Sequence, residues 1–337
     1  MLTDAYNRPV KDLRISVTDR CNFRCTYCMP LDEYVWIDRR EILTFEEISR
    51  IARLFTGLGV EKIRITGGEP LVRKDLHSLI RMLSSLEGVD DLCLTTNASL
   101  LTEQIDDLAA AGLKRINVSI DTLDPEKFKQ ITKRGDLSKV LDGIFAAKKL
   151  GVQPIKINAV IERGTNEDDI IPLVEFSREN GFAMRFIEYM DVGNANNWIS
   201  EKIVSKKEIL ERIDARYPLR KVGRDNGTAP SVDYEFIDGV GSLGVIASVT
   251  EPFCASCTRA RLTADGKLVT CLFSDHGHDL KSLIRSGATD EQLTEVIASV
   301  WQARTDRYSD ERLAAMNSPE GYQPKTHHKM EMITLGG

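Results

Sequence analysis

Residues 13–28 read LRISVTDRCNFRCTYC. The opening LRISVT alternates apolar or β-branched side chains with polar ones, which is the signature of a strand. The chain then breaks into a loop that spaces Cys21, Cys25 and Cys28 as CxxxCxxC. A strand that empties into candidate ligands is how a parallel α/β fold displays chemistry, since catalytic groups gather at the carboxyl ends of its strands. The spacing differs from the CxxC pairs of zinc ribbons and thioredoxin-like sites. Arg20, Asn22, Arg24 and Thr26 also make a poor apolar core for three buried cysteines.

Outward from this stretch the same strand pattern recurs as KIRIT (62–66), DLCLTT (91–96), RINVSI (115–120), IKINAV (155–160) and MRFIEY (184–189). Amphipathic segments separate them, such as Phe45, Ile48, Ile51, Leu54, Phe55 and Leu58 on one helical face. Strand and helix in alternation imply a parallel sheet with right-handed crossovers. Polar residues recur where the strands end: Thr18 and Asp19, Thr66-Gly67-Gly68-Glu69-Pro70, Thr95-Thr96-Asn97, Ser119 and Asp121, Asn158, and Glu188. The expected fold is therefore an incomplete (β/α)6 TIM-like barrel over residues 1–190. Residues 191–337 are expected to form a smaller α+β extension that closes the barrel's open side. Its pieces are the hairpin-like VDYEFI and LGVIASV, the helical DLKSLIRSG and TDEQLTEVIASVWQARTDRYSD, and a polar tail ending in Gly336-Gly337.

That extension carries a second group of thiols, Cys254, Cys257 and Cys271, in CASCTRARLTADGKLVTC. Each group offers three thiolates and no fourth. A structural zinc site closes with four protein ligands, whereas an iron–sulfur cluster can leave one iron open to a small molecule. Zinc completed by His276 or His278 is the competing reading of the second group. Arg259 and Arg261 directly follow its CxxC pair, and planar guanidiniums suit phosphate or carboxylate. Arg14, Arg64, Lys156 and Arg185 fall at strand positions that should face the barrel interior. Such charges must be paired, with Glu69, Asp121 or Glu188, or must bind an anion. TGGEP reads either as a tight turn or as a place of close backbone approach, with Gly68 the residue of interest. Cys93, alone in LCLTT, reads as a small buried strand residue.

A net charge of −6 argues against a general nucleic-acid or membrane surface, which needs a dominating basic field, but leaves room for a local phosphate site. The composition, 42% hydrophobic and 28% charged, is that of an ordinary globular protein. No apolar run approaches the roughly 18 residues of a membrane span, and the start MLTDAYNRPV lacks a secretory h-region. A cytoplasmic location follows as the expectation. Seven cysteines make an awkward disulfide framework but suit thiolates kept for metal in a reducing compartment.

CxxxCxxC followed by TGGEP resembles the radical S-adenosylmethionine (SAM) superfamily. Taken with RINVSIDTLD, RFIEYMDVG, CTRARLTADGKLVTCLF and the terminal Gly-Gly, the chain is similar throughout, from about Asn7 onward, to the radical SAM GTP 3′,8-cyclases of molybdenum cofactor biosynthesis. The resemblance implies that Cys21, Cys25 and Cys28 hold a 4Fe-4S cluster whose fourth iron binds SAM, with Tyr27, Gly68, Ser119 and Met190 lining SAM. It implies that Cys254, Cys257 and Cys271 hold a second 4Fe-4S cluster that meets the guanine of GTP. Arg14, Arg64, Thr95, Lys156, Arg259 and Arg261 would contact the triphosphate and ribose, Arg185 would support SAM, and the Gly-Gly tail would reach into the active site. The implied reaction takes the hydrogen from C3′ of GTP with a 5′-deoxyadenosyl radical and closes C3′ onto C8, giving 3′,8-cyclo-7,8-dihydro-GTP. A reducing electron donor and a downstream cyclic pyranopterin monophosphate synthase are the implied partners, and a homodimer is compatible with them. Ala98 departs from the glycine that this family usually shows after TTN. The rival readings are a radical SAM peptide-modifying enzyme with an auxiliary cluster, and a non-catalytic module with two structural zinc sites.

Overall fold

The computed structural model describes residues 2–319, 321–324 and 327–336. Strands and helices alternate as β1 (Asp12–Ser16), α1 (Phe45–Gly57), β2 (Lys62–Thr66), α2 (Leu76–Ser84), β3 (Asp91–Thr96), α3 (Ile105–Ala110), β4 (Arg115–Ser119), α4 (Pro125–Thr132), α5 (Leu137–Lys149), β5 (Ile155–Ile161), α6 (Ile170–Asn180) and β6 (Ala183–Glu188). Local chemistry sets the boundaries. Thr44 caps α1 in a reciprocal box with Glu47. Asp124 and Pro125 start α4. Gly181, at φ +68°, ends α6 in the left-handed conformation that glycine adopts without a Cβ clash.

On the strands one set of alternate residues is buried against the helices, including Leu13, Ile15, Ile63, Ile65, Ile116, Val118, Ile157 and Ala159. The opposite set, period two, faces inward. The core is thus a shell between sheet and helices, and the sheet's concave side is left to polar side chains.

The rest of the chain supplies α7 (Lys206–Asp214), β7 (Leu219–Gly223), β8 (Val232–Phe236), β9 (Ser242–Ile246), β10 (Arg259–Leu262), β11 (Lys267–Val269), β12 (His278–Asp279), α8 (Leu280–Arg285), α9 (Asp290–Gln302), α10 (Tyr308–Met316) and α11 (Met332–Leu335). One open sheet results, in the order β12-β11-β10-β1-β2-β3-β4-β5-β6-β9-β8-β7. The six strands of the incomplete barrel are all parallel. The later strands make no separate sheet. Instead β9 adds in parallel to β6 and β10 in parallel to β1, so each edge of the partial barrel is extended rather than capped. The segment 289–310, read from sequence as helical throughout, is broken between α9 and α10 at residues 303–307. Among the described residues no helix is long and apolar enough to cross a membrane.

Candidate active site

The two thiol groups sit at opposite ends of β1. Cys21 follows its carboxyl end. At its amino end Asp12 is in register with Arg259, which places Cys254 and Cys257, just before β10, at the barrel's other mouth. Because β11 runs antiparallel to β10, its end delivers Cys271 to that same mouth. A five-residue strand spans roughly 17 Å at about 3.3 Å per residue. Both groups line one cavity of about 290 Å³ that runs between them.

All these thiols are free and half-buried. Burial pushes Cys21, Cys28 and Cys271 up to about 12, and raises Cys25 as well. Burial opposes ionisation at Cys257 too, but the guanidiniums of Arg259 and Arg304 outweigh it and bring that thiol down to about 6. Among the described residues no three His, Cys, Asp or Glu side chains converge on a single-ion position. A 4Fe-4S cluster takes one thiolate per iron, so its cysteines need not meet at a point. Thiol triads open to a shared cavity fit such clusters well.

Sheet register assembles a cationic belt between the mouths. Arg14 is flanked by Arg64 on β2 and Arg261 on β10. Toward the carboxyl ends, Thr95 neighbours Asn117, and Ser119 neighbours Asn158, which neighbours Arg185. Among the described residues none of Arg14, Arg64, Lys156, Arg185, Arg259 and Arg261 pairs with a carboxylate. The carboxylates that could have paired with them are committed elsewhere. Glu69 accepts from Thr96 Oγ1 (2.6 Å) and the Asn97 and Leu71 amides. Asp121 accepts from Tyr27 OH (2.8 Å) and the Val160 amide. Glu188 accepts from the amides of Lys206, Val249 and Thr250. Burial and then Arg64 hold Arg14 well below its usual range; burial and then Arg259 bring Arg261 to about 10; burial and then Arg185 bring Lys156 to about 8. Arg64 Nε and Asn158 Oδ1 are buried without a partner. A cavity lined by Arg14, Arg64, Arg259 and Arg261, none with a carboxylate partner, and by orphan polar atoms suits a polyanion.

The sequence-selected residues divide as follows. Tyr27, Gly68, Ser119, Met190, Arg14, Arg64, Thr95, Arg259 and Arg261 line the cavity. Lys156 and Arg185 do not; Lys156 lies two residues before Asn158, one layer nearer the amino ends of the strands. The close approach at TGGEP is made by the chain's own backbone. Gly68 donates to Thr18 O at 2.7 Å, and a Cβ there would collide with the carbonyl of Arg20. The glycine pair therefore lets the second strand's loop press against the loop that leads to Cys21. Arg259 donates Nε and Nη2 to Cys257 Sγ at 3.3 and 3.1 Å. Arg261 Nη1 donates to Gly336 O at 2.8 Å. Gly336, at φ +72°, packs so closely on Thr66 that a side chain would clash; Gly337 lies outside the described residues. Ala98 occupies the left-handed region at φ +59°, which explains why glycine suits that position. Cys93 is fully buried, as its strand setting implied.

Sequence reasoning missed Arg304 and Asp306, which also line the cavity. They fall in the break after α9. A signal was present, since the apolar stripe Leu293, Ile297, Trp301 stops at Trp301.

Comparison with known proteins agrees with this geometry. Residues 15–177 match the Radical SAM superfamily and residues 182–310 match Molybdenum Cofactor Synthesis C. The chain is 48% identical over 342 residues to the GTP 3′,8-cyclase of Staphylococcus saprophyticus, covering 100% of this chain and 99% of that one. It is 46% identical over 360 residues to that of Acidothermus cellulolyticus, again covering 100% and 99%. Among solved structures, Streptococcus suis SuiB bound to S-adenosylmethionine superposes with a TM-score of 0.59 at 18% identity, over 91% of this chain and 68% of that one. SuiB bound to precursor peptide SuiA gives 0.61 at 17%, over 91% and 67%. The likeness to SuiB is one of fold. The full-length relatives, the two matched families and the twin thiol mouths agree: the chain belongs to the GTP 3′,8-cyclase family of radical SAM enzymes, which acts in molybdenum cofactor biosynthesis.

Proposed function

We propose that the cationic belt holds the triphosphate and ribose of GTP between the two mouths, through Arg14, Arg64, Thr95, Lys156, Arg259 and Arg261. The observation that carries this reading is the set of cavity-lining arginines in register on β1, β2 and β10, none of them paired with a carboxylate. Cys21, Cys25 and Cys28 would hold one 4Fe-4S cluster, beside Tyr27, Gly68, Ser119 and Met190 for SAM. Cys254, Cys257 and Cys271 would hold the other. Bound there, the two clusters and SAM supply the reducing electron and the 5′-deoxyadenosyl radical chemistry that takes hydrogen from C3′ of GTP and joins C3′ to C8.

The protein's own contribution is positioning and exclusion. Fixed guanidiniums bind the triphosphate with charge-assisted hydrogen bonds. The Tyr27–Asp121 hydrogen bond keeps the phenol turned toward the Val160 strand end. Gly336, packed on the cavity-lining Thr66 and held by Arg261, would help keep bulk water from reactive carbon centres. The work divides near residue 190, with SAM held by residues 1–190 and the base of GTP by residues 191–337. The reading also brings a reducing electron donor, a downstream cyclic pyranopterin monophosphate synthase and a cytoplasmic setting.

Alanine at Cys254, Cys257 or Cys271 tests the assignment. Iron should fall by about four atoms per chain and GTP binding should be lost, while reductive cleavage of SAM persists. Unchanged GTP affinity in all three variants would refute it.

A further inference from the structure

The second thiol mouth is gripped by residues that no motif singles out. Asp4 is buried and accepts from Arg8 Nε at 2.5 Å and from Arg304 Nη1 at 3.4 Å. Arg8 Nη1 then donates to the carbonyls of Cys254 (2.8 Å) and Asp306 (2.9 Å). Arg304 Nη1 donates to the carbonyl of Cys257 at 2.8 Å, and its Nη2 to Cys257 Sγ at 3.2 Å. Asp306 takes Arg304 Nε at 3.2 Å, and the guanidinium lies 4.7 Å from the centre of the Trp301 ring. Trp301 Nε1 in turn donates to Arg8 O at 3.2 Å. The amino-terminal segment, the end of α9 and the CxxC loop are thereby one unit.

Two arginines reach the same sulfur, and their surroundings separate their roles. Arg259 has no carboxylate partner and belongs to the cationic belt. Arg304 spends its donors on Asp4, Asp306 and Cys257, and its side chain is 2% exposed. It therefore has no free edge for a substrate anion.

We propose that Arg304, braced by Asp4 and Arg8, is a positioning residue of the second cluster: it fixes the Cys254–Cys257 loop and, through its N–H to the Cys257 sulfur, raises that cluster's reduction potential relative to the same site without it. Reduction adds negative charge to a cluster, and a hydrogen bond from a cation to a ligating sulfur stabilises that added charge. This rests on the reading of Cys257 as a cluster ligand.

The test is an EPR-monitored redox titration of reconstituted full-length protein carrying Arg304→Met or Arg304→Lys beside the unaltered chain, with iron counted in each. The second cluster's signal is the one that GTP perturbs. The expected result is a more negative midpoint for that cluster in Arg304→Met, partial recovery in Arg304→Lys, and no change at the SAM-responsive cluster. If Arg304→Met fails to load the second cluster, Arg304→Lys alone must show the negative shift. Unmoved midpoints at full iron content, or equal shifts at both clusters, overturn the proposal. Unaltered protein with iron for one cluster only would defeat the ligand assignment itself, and this inference with it.

Discussion

Arg14 on β1 and Arg64 on β2 stand side by side in register, and among the described residues neither has a carboxylate partner. Like charges held together in a barrel are a cost in the ligand-free fold that an anion removes. Arg14→Met should therefore weaken GTP binding by about 10- to 100-fold, the equivalent of one or two charge-assisted hydrogen bonds. Its melting temperature should not fall. Calorimetric titration beside thermal unfolding checks both, and a lower melting temperature with unaltered GTP affinity would make Arg14 structural.

Lys156 gives a pH signature. Burial and Arg185 lower it to about 8, so in the free protein it is charged below that pH and neutral above it. A bound triphosphate favours the charged form, so affinity is retained at pH 7 and lost as pH rises through 8. The loss by pH 9 should be roughly tenfold, one pH unit above the pKa. Lys156→Met should abolish this dependence. An identical pH profile in the variant would remove Lys156 from the substrate set.

Much of this was legible before any coordinates. The six parallel strands could be read because their outward faces are uniformly apolar, and the thiol mouths because cysteine spacing is a local property. The course of the later strands was not, since adding β9 beside β6 and β10 beside β1 depends on sheet edges far away in sequence. Arg304 was hidden for the same reason. Its role rests on partners at residues 4 and 257, and helical propensity around it is silent on them.

Ala98 sits at φ +59° and fully buried. Ala98→Gly relieves a left-handed alanine worth about 1–2 kcal/mol, but loses a buried methyl of about 0.8 kcal/mol and gains about 0.4–1 kcal/mol of unfolded-state freedom. These offset one another, so stability should stay within about 1 kcal/mol and GTP affinity should be unchanged. Chemical denaturation resolves the difference. A loss of more than about 2 kcal/mol would mean that the methyl, and not the backbone, governs this loop.

Asp191 joins the end of the barrel to the carboxyl-terminal helices and tail. It pairs with Arg312 and with Lys329 Nζ at 2.8 Å, and accepts from Tyr308 OH (2.7 Å) and Tyr322 OH. Burial opposes its ionisation, but Arg312 and Lys329 outweigh it and hold the carboxyl below its usual range. A depressed carboxylate contributes stability above its unfolded pKa and loses it as pH falls through the folded one. Asp191→Asn leaves buried cations uncompensated, at about 3–5 kcal/mol. With about 2.1 cal/mol/K of unfolding entropy per residue, that lowers Tm by roughly 4–7 °C at pH 7. The gap should be undiminished down to about pH 4, the ordinary carboxylate value, and should narrow only as pH falls further through the depressed folded pKa; a gap indifferent to that fall would contradict the electrostatic account.

The central claim is that this cavity presents C3′ of GTP to the radical chemistry at the first mouth. Anaerobic incubation of the reconstituted protein with SAM, dithionite and GTP deuterated at C3′, followed by mass spectrometry of the 5′-deoxyadenosine formed, tests it most directly. Deuterium in the 5′-deoxyadenosine is the predicted result. Unlabelled 5′-deoxyadenosine, formed while GTP is bound, would contradict it.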